Sequence, residues 1–289
     1  MSGPVAQRLA GDRLHLSHGP IEVVLRGFGP ADAVATAEAA AARRFRTVLD
    51  ELVAELPALR QPVAADRVPS GAVARRMHAA CAPFVVEGVF VTAMAAVAGA
   101  VADELLAAMR GAAPDLARAY VNDGGDIAVF VAPGQRLAIG LAAEPFPGTI
   151  FDGALDIGDR DGIGGVATSG RQGRSFSLGI VDAVTVLARD AATADAAATL
   201  IANAVDLDSP AIARRPARDL DPDSDLGDRP VTVAVGTLAA TEIAAALDAG
   251  ATRAEAWCRA GLIRGAALRL AGQARLVGDR FPTLAELPP

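Results

Sequence analysis

Two β-like runs, residues 13–17 and 21–26, open the pattern and are joined by His18, Gly19 and Pro20. A Gly-Pro break between such runs predicts a β-hairpin. Residues 30–56 are rich in alanine and leucine, which predicts a long helix closed by Pro57 and Pro62. A shorter helix is expected to start at Pro69–Ser70–Gly71, with Ser70 as N-cap, and to run to about Cys81. Gly88 introduces a third, alanine-rich helix reaching Met109, whose small residues Ala93, Ala96, Gly99 and Ala100 suit close packing. Four β-like segments follow at 119–122, 127–132, 136–141 and 149–157, divided by turns at 123–125 and 133–134. Their short spacing favours antiparallel strands over repeated βαβ units. Residues 181–188 read as a buried strand and 193–204 as the helix after it. The Asp-, Arg- and Pro-rich stretch 206–229 reads as an exposed loop excursion. A strand at 231–238, a helix at 239–260, a hairpin at 264–277 and a proline-bearing tail at 280–289 complete the expectation.

Composition sharpens this picture. Hydrophobic residues make up 52% of the 289-residue chain, and much of that is alanine, so the core should be small-residue and tightly packed. The formal charge of −7 argues against general nucleic-acid binding. Two distant cysteines, Cys81 and Cys258, give no disulfide framework and suit a reducing cytosol. The N-terminal stretch lacks the apolar run of a signal peptide. The most membrane-like segment, 89–102, falls short of the about 20 apolar residues a span needs. With no internal repeat and no clear linker, the expectation is one α+β domain over 1–289 in a cytoplasmic protein, with an antiparallel or mixed sheet packed against long alanine-rich helices.

Candidate chemistry concentrates in residues 161–203. Gly162, Gly164 and Gly165 open the stretch, and a Thr-Ser-Gly piece (Thr168, Ser169, Gly170) leads to Arg171 and Arg174. Guanidinium forks suit an anion, and solvated loop arginines are the simpler reading of the same pair. Ser175 is a hydrogen-bond donor in the same stretch. If 192–204 is helical, Asp195 and Thr199 share a face, an oxygen pair suited to a hard cation such as Mg2+. The plainer alternative places Asp195 in the first turn, complementing its own helix dipole. Gly124, Gly125 and Asp126 form a turn that admits a ring or phosphate, or an ordinary type I′ hairpin tip. His15, His18 and His78 show no metal spacing, and a calcium loop at 221–228 fails on ligand positions.

Three segments occur in a characteristic order: Asn-Asp-Gly-Gly-Asp at 122–126, Gly-Val-Ala-Thr-Ser-Gly at 165–170, and Ala-Asp-Ala-Ala-Ala-Thr at 194–199. In this the chain resembles the ApbE superfamily, magnesium-dependent flavin transferases that attach FMN from FAD to protein threonines. The resemblance covers roughly residues 10–275 and extends to a short cytoplasmic branch, through runs at 93–100, 173–180 and 223–227. It implies that Asp195 and Thr199 hold Mg2+. It also implies that Gly124, Gly125, Asp126, Thr168, Ser169 and Gly170 lie along a groove for FAD or FMN, with Arg171, Arg174 and Ser175 toward phosphate. The transferases carry a histidine-containing segment that is replaced here by residues 175–183, which leaves Asp182 as the titratable group of that segment. The expected chemistry is therefore FAD phosphoester cleavage or flavin transfer. A second expectation is a non-catalytic accessory protein, in sulfur or homocysteine metabolism, that uses the groove to bind a partner protein or small anionic metabolite. A homodimer is compatible with the alanine-rich helices.

Overall fold

The computed structural model describes residues 3–85, 89–141, 153–173, 175–279 and 281. The chain begins with strands β1 (Val5–Leu9), β2 (Arg13–His18) and β3 (Ile21–Phe28). β2 and β3 are the foreseen hairpin; β1 was not foreseen. Four of its five positions are exposed, so no buried face marks it in the sequence. Backbone pairing holds it, with Val5 opposite Ser17 and Leu9 opposite Arg13, and Arg8 forms an ion pair with the buried Glu38.

Helix α1 (Ala31–Leu59) runs two residues past Pro57, which has no N–H to offer the Val53 carbonyl, and ends within that turn. Its buried positions Ala37, Ala41, Phe45, Val48 and Leu52 recur at three- and four-residue spacing, as one helical face requires. Helix α2 (Ala72–Cys81) has Gly71, not Ser70, as its N-cap residue. The cap acceptor comes instead from α1, where the Glu55 carboxylate takes the N–H of Gly71 at 2.6 Å and of Ser70 at 2.8 Å. The alanine-rich helix is shorter than expected. A 3-10 turn (Ala93–Ala96) precedes α3 (Val97–Ala112), and Gly88 lies outside the described residues.

Strands β4 (Arg118–Asp123), β5 (Asp126–Val131), β6 (Arg136–Leu141) and β7 (Gly153–Gly158) follow. The first residues of the strand expected at 149–157 lie outside the described residues. Next come β8 (Gly165–Ser169), β9 (Ala183–Ala188) and α4 (Ala191–Ala204). The expected excursion at 206–229 holds a strand, β10 (Ile212–Pro216), paired antiparallel with β11 (Pro230–Val235). Its arginine- and proline-rich sequence hides it, because only one edge is paired. Helix α5 (Ala240–Arg259) and the hairpin β12 (Gly265–Leu270) and β13 (Gln273–Val277) close the described chain. Of the expected tail, Arg280 and residues 282–289 lie outside it.

The architecture is α+β with mostly antiparallel pairing. Contacts divide the chain into two compact units, one of Met1–Ala138, Asp156–Ala167 and Ala188–Ala196, the other of Ile139–Leu155, Thr168–Leu187 and Ala197–Pro289. In the first, neighbouring strands run β1-β2-β3-β4-β5-β8, and α1 packs on β2, β3 and α3 while α3 packs on β4 and β5. In the second, β12 lies between β9 and β13 with α5 across β12 and β13, and β10–β11 forms a separate hairpin. Among the described residues no helix is long and apolar enough to cross a membrane.

Candidate functional site

The start of α4 defines the site in the first unit. Asp190 precedes the helix and accepts the Thr193 N–H at 2.7 Å, an N-cap interaction. The two preceding amides, Ala191 and Ala192, are taken by Asp103 of α3 at 3.1 and 2.9 Å. Two carboxylates thus satisfy the first turn, which leaves no vacant helix N-terminus there for a phosphate.

Asp195 does not complement its own helix dipole, because α4 starts at Ala191 and its first turn holds no acidic residue. Its Oδ2 instead accepts the N–H of Gly99 at 3.0 Å, and the Ala98 amide also bonds to this carboxylate. These are first-turn amides of α3, whose own N-cap residue Ala96 offers no side-chain acceptor. The helices therefore cap each other crosswise: Asp103 on α3 serves α4, and Asp195 on α4 serves α3. Gly99 makes the crossing possible. A methyl group there would lie 2.5 Å from the Ala191 carbonyl carbon and 2.7 Å from the Ala192 nitrogen. On the other side of the crossing, a side chain at Gly165 would overlap the Asp190–Ala191 peptide. The glycines of 164–165 are thus accounted for by backbone packing.

Burial pushes the Asp195 carboxyl well above the ordinary carboxylate range, and the negative charges of Asp126 and Asp123 push it further; the Gly99 and Ala98 amides pull it back. Asp123 is buried and Asp126 half-buried, at the two ends of the β4–β5 turn. Gly124 and Gly125 both have positive φ, 64° and 115°, as a type I′ tip requires, and Asn122 Oδ1 accepts the Gly125 N–H at 2.8 Å. The hairpin tip and the Asp195 segment, far apart in sequence, are thus electrostatic neighbours. Among the described residues no group of three or more His, Cys, Asp or Glu side chains forms a ready metal cage. A cavity of about 340 Å3 in the same unit is lined by residues including Leu59, Arg67, Val68, His78 and Ala93.

In the second unit, Thr199 donates to Ser169 Oγ at a long 3.5 Å. Thr168 Oγ1 lies 2.9 Å from Thr185 Oγ1, and Gly170 (φ 153°) packs against the Asp182 backbone. Arg171 Nη2 donates to Asp182 Oδ1 at 2.5 Å, and Gln172 reaches the same oxygen at 3.4 Å. The other oxygen, Oδ2, accepts the Ala271 N–H at 2.7 Å, so Asp182 anchors the loop after β8 to the β12–β13 turn. The buried Nε of Arg171 has no partner among the described residues, and Ser175 is exposed. Arg174 lies outside the described residues. Cys81 is buried and donates to the Thr92 carbonyl, and burial raises its thiol, so it stays protonated.

Asp103, Asp123 and the Ala98 and Gly99 amides escaped the sequence reading. Asp190 was missed as an N-cap because the helix was expected to start at residue 193 rather than Ala191, and the Asp103 contact bridges 88 residues and leaves no local signal.

The chain belongs to the family described as AbpE bacteria, which matches residues 6–276. It is 45% identical over 117 residues to a UPF0280 protein of Methanothrix thermoacetophila, covering 40% of this chain and 47% of that one. It is 38% identical over 178 residues to a UPF0280 protein of Methanopyrus kandleri, covering 60% and 66%. The chain therefore spans about half to two thirds of the length of these relatives. Among solved structures, the flavin transferase ApbE from Vibrio cholerae superposes with a TM-score of 0.40 at 14% identity, covering 96% of this chain and 99% of that one. The ApbE protein of Thermotoga maritima gives 0.38 at 14%, covering 71% and 88%.

Proposed function

We propose that the protein binds a flavin nucleotide together with Mg2+ and has flavin-transferase-like chemistry. The observation that carries this reading is the Asp195 carboxylate. Its Oδ2 is held by the Gly99 amide, the Ala98 amide also bonds to the group, and the carboxylate lies in the field of Asp123 and Asp126 on the double-glycine hairpin. Like charges brought together in a partly desolvated place are relieved by a cation or a proton. The donors fit Mg2+ in kind, since they are hard oxygens, but they form no closed cage. Magnesium commonly takes one or two carboxylates and completes its shell with water and substrate phosphates. Asp195 would hold the ion, and the ion's contribution would be to polarise a pyrophosphate. The part-exposed guanidinium of Arg171, oriented by Asp182, is the candidate anion donor. The cavity of about 340 Å3 in the first unit is of ligand-pocket size. Family membership supports the same reading.

Calorimetric titration of FAD, with and without Mg2+, into wild type and Asp195→Ala tests it. Magnesium-dependent binding that disappears in the variant is expected. A wild-type protein indifferent to FAD under both conditions refutes the proposal.

A further inference from the structure

The crossed caps tie one residue that no cofactor touches to the placement of another that the proposed metal needs. Asp103 has both oxygens on the Ala191 and Ala192 amides, at 3.1 and 2.9 Å. Asp195 follows Ala192 by three positions on the same helix and projects back to the start of α3, the helix that carries Asp103. The two bonds from Asp103 fix the height and rotation of α4 against α3. The bare Cα of Gly99 brings the backbones into contact at the same point. Helical geometry converts a rotation of the first turn directly into a displacement of the side chain one turn further on.

We propose that Asp103 is a positioning residue that sets the Asp195 carboxylate for cation binding. The inference rests on the metal reading above. Asp103 does not touch the cation; it acts as the outer partner that orients a ligand, and loss of such partners weakens metal affinity by about 10–100-fold. Asp103→Asn keeps the shape and one acceptor oxygen. Its amide nitrogen then opposes an N–H, so one of the two bonds is lost. Asp103→Ala loses both.

The test is Mn2+ affinity, read from the free-ion electron paramagnetic resonance signal, for the whole chain well below its unfolding temperature. Melting temperatures are measured in parallel. Arg44→Met is the stability control: it breaks the bridges from Arg44 to Glu51 within α1 and to Glu104 of α3 and leaves both Asp103 bonds in place. The expected order of affinity is wild type, then Asp103→Asn, then Asp103→Ala, with the last at least about 10-fold weaker than wild type. Arg44→Met should keep wild-type affinity despite its lower melting temperature. Asp103 variants that melt earlier but bind Mn2+ within twofold of wild type overturn the positioning role and leave a plain structural cap. If Asp103→Ala fails to fold, Asp103→Asn alone decides by the same criterion. A wild-type protein that binds no Mn2+ overturns the metal reading itself, a result distinct from the previous one.

Discussion

Gly99→Ala separates two physical effects of opposite sign. Gly99 lies in the first turn of α3, so propensity alone predicts that alanine there gains about 0.5–1 kcal/mol. Packing predicts the reverse. The new methyl would lie 2.5 Å from the Ala191 carbonyl carbon, and ordinary contact begins near 3.4 Å, so the helices must part by roughly 1 Å. Overpacking of this kind costs about 1–3 kcal/mol. The separation also stretches the crossed caps, the Asp195 bond to Gly99 and the Asp103 bonds to Ala191 and Ala192. Losing a cap costs about 1 kcal/mol. Subtracting the propensity gain leaves a net loss of about 1–3.5 kcal/mol, which lowers the melting temperature by roughly 2–6 °C for a chain of this size. Urea unfolding followed by circular dichroism measures it. A Gly99→Ala protein as stable as wild type, or more so, refutes the close-crossing argument.

Three further outcomes are expected. Asp182→Ala strands the Arg171 guanidinium and the Ala271 amide and should cost about 3 kcal/mol, the low end for a buried pair because Arg171 is partly exposed; a denaturation midpoint unchanged from wild type counts against the anchor. Ala271 sits at φ 48°, so Ala271→Gly should stabilise by about 0.5–1 kcal/mol, and a lower melting temperature would contradict that. Burial pushes the Asp103 carboxyl up to about 7, while an unfolded carboxyl titrates near 4. From about pH 4 to 7 the folded chain keeps a proton that the unfolded chain has shed, so this group's contribution to stability falls as pH rises and levels off above about 7. Asp103→Asn should therefore show a flatter stability curve across that window, and parallel curves would dispose of the assignment.

The elements that a sequence writes locally were legible. β2 and β3, α1, α4, α5 and the closing hairpin follow from alternation, helical periodicity and turn residues, each of which acts over a few positions. β1 and β10 were not legible, because an exposed or singly paired strand buries no alternating face. The start of α3 was misplaced because the 3-10 turn before it is as alanine-rich as the helix, so composition does not mark the boundary. For the site, Gly124, Gly125 and Asp126 were legible as a hairpin tip, and Asp195 and Thr199 as a helical pair. That Asp195 turns toward α3 depends on a segment 96 residues earlier in the chain, and composition carries no trace of it.

The crossed caps also have a consequence for how the chain acquires its structure. Neither helix start can be completed by its own neighbours in sequence. The acceptors for Gly99 on one side, and for Ala191 and Ala192 on the other, arrive from positions 96, 88 and 89 residues away. Closing a loop of that length carries an entropy cost that no local contact offsets beforehand. Helical turns further along α3 and α4 can flicker into being early, but their first turns must wait for the distant partner. The two helices therefore finish together, and solvent exchange at the Gly99, Ala191 and Ala192 amides should follow the slowest, global opening of the first unit rather than the fraying of helix ends.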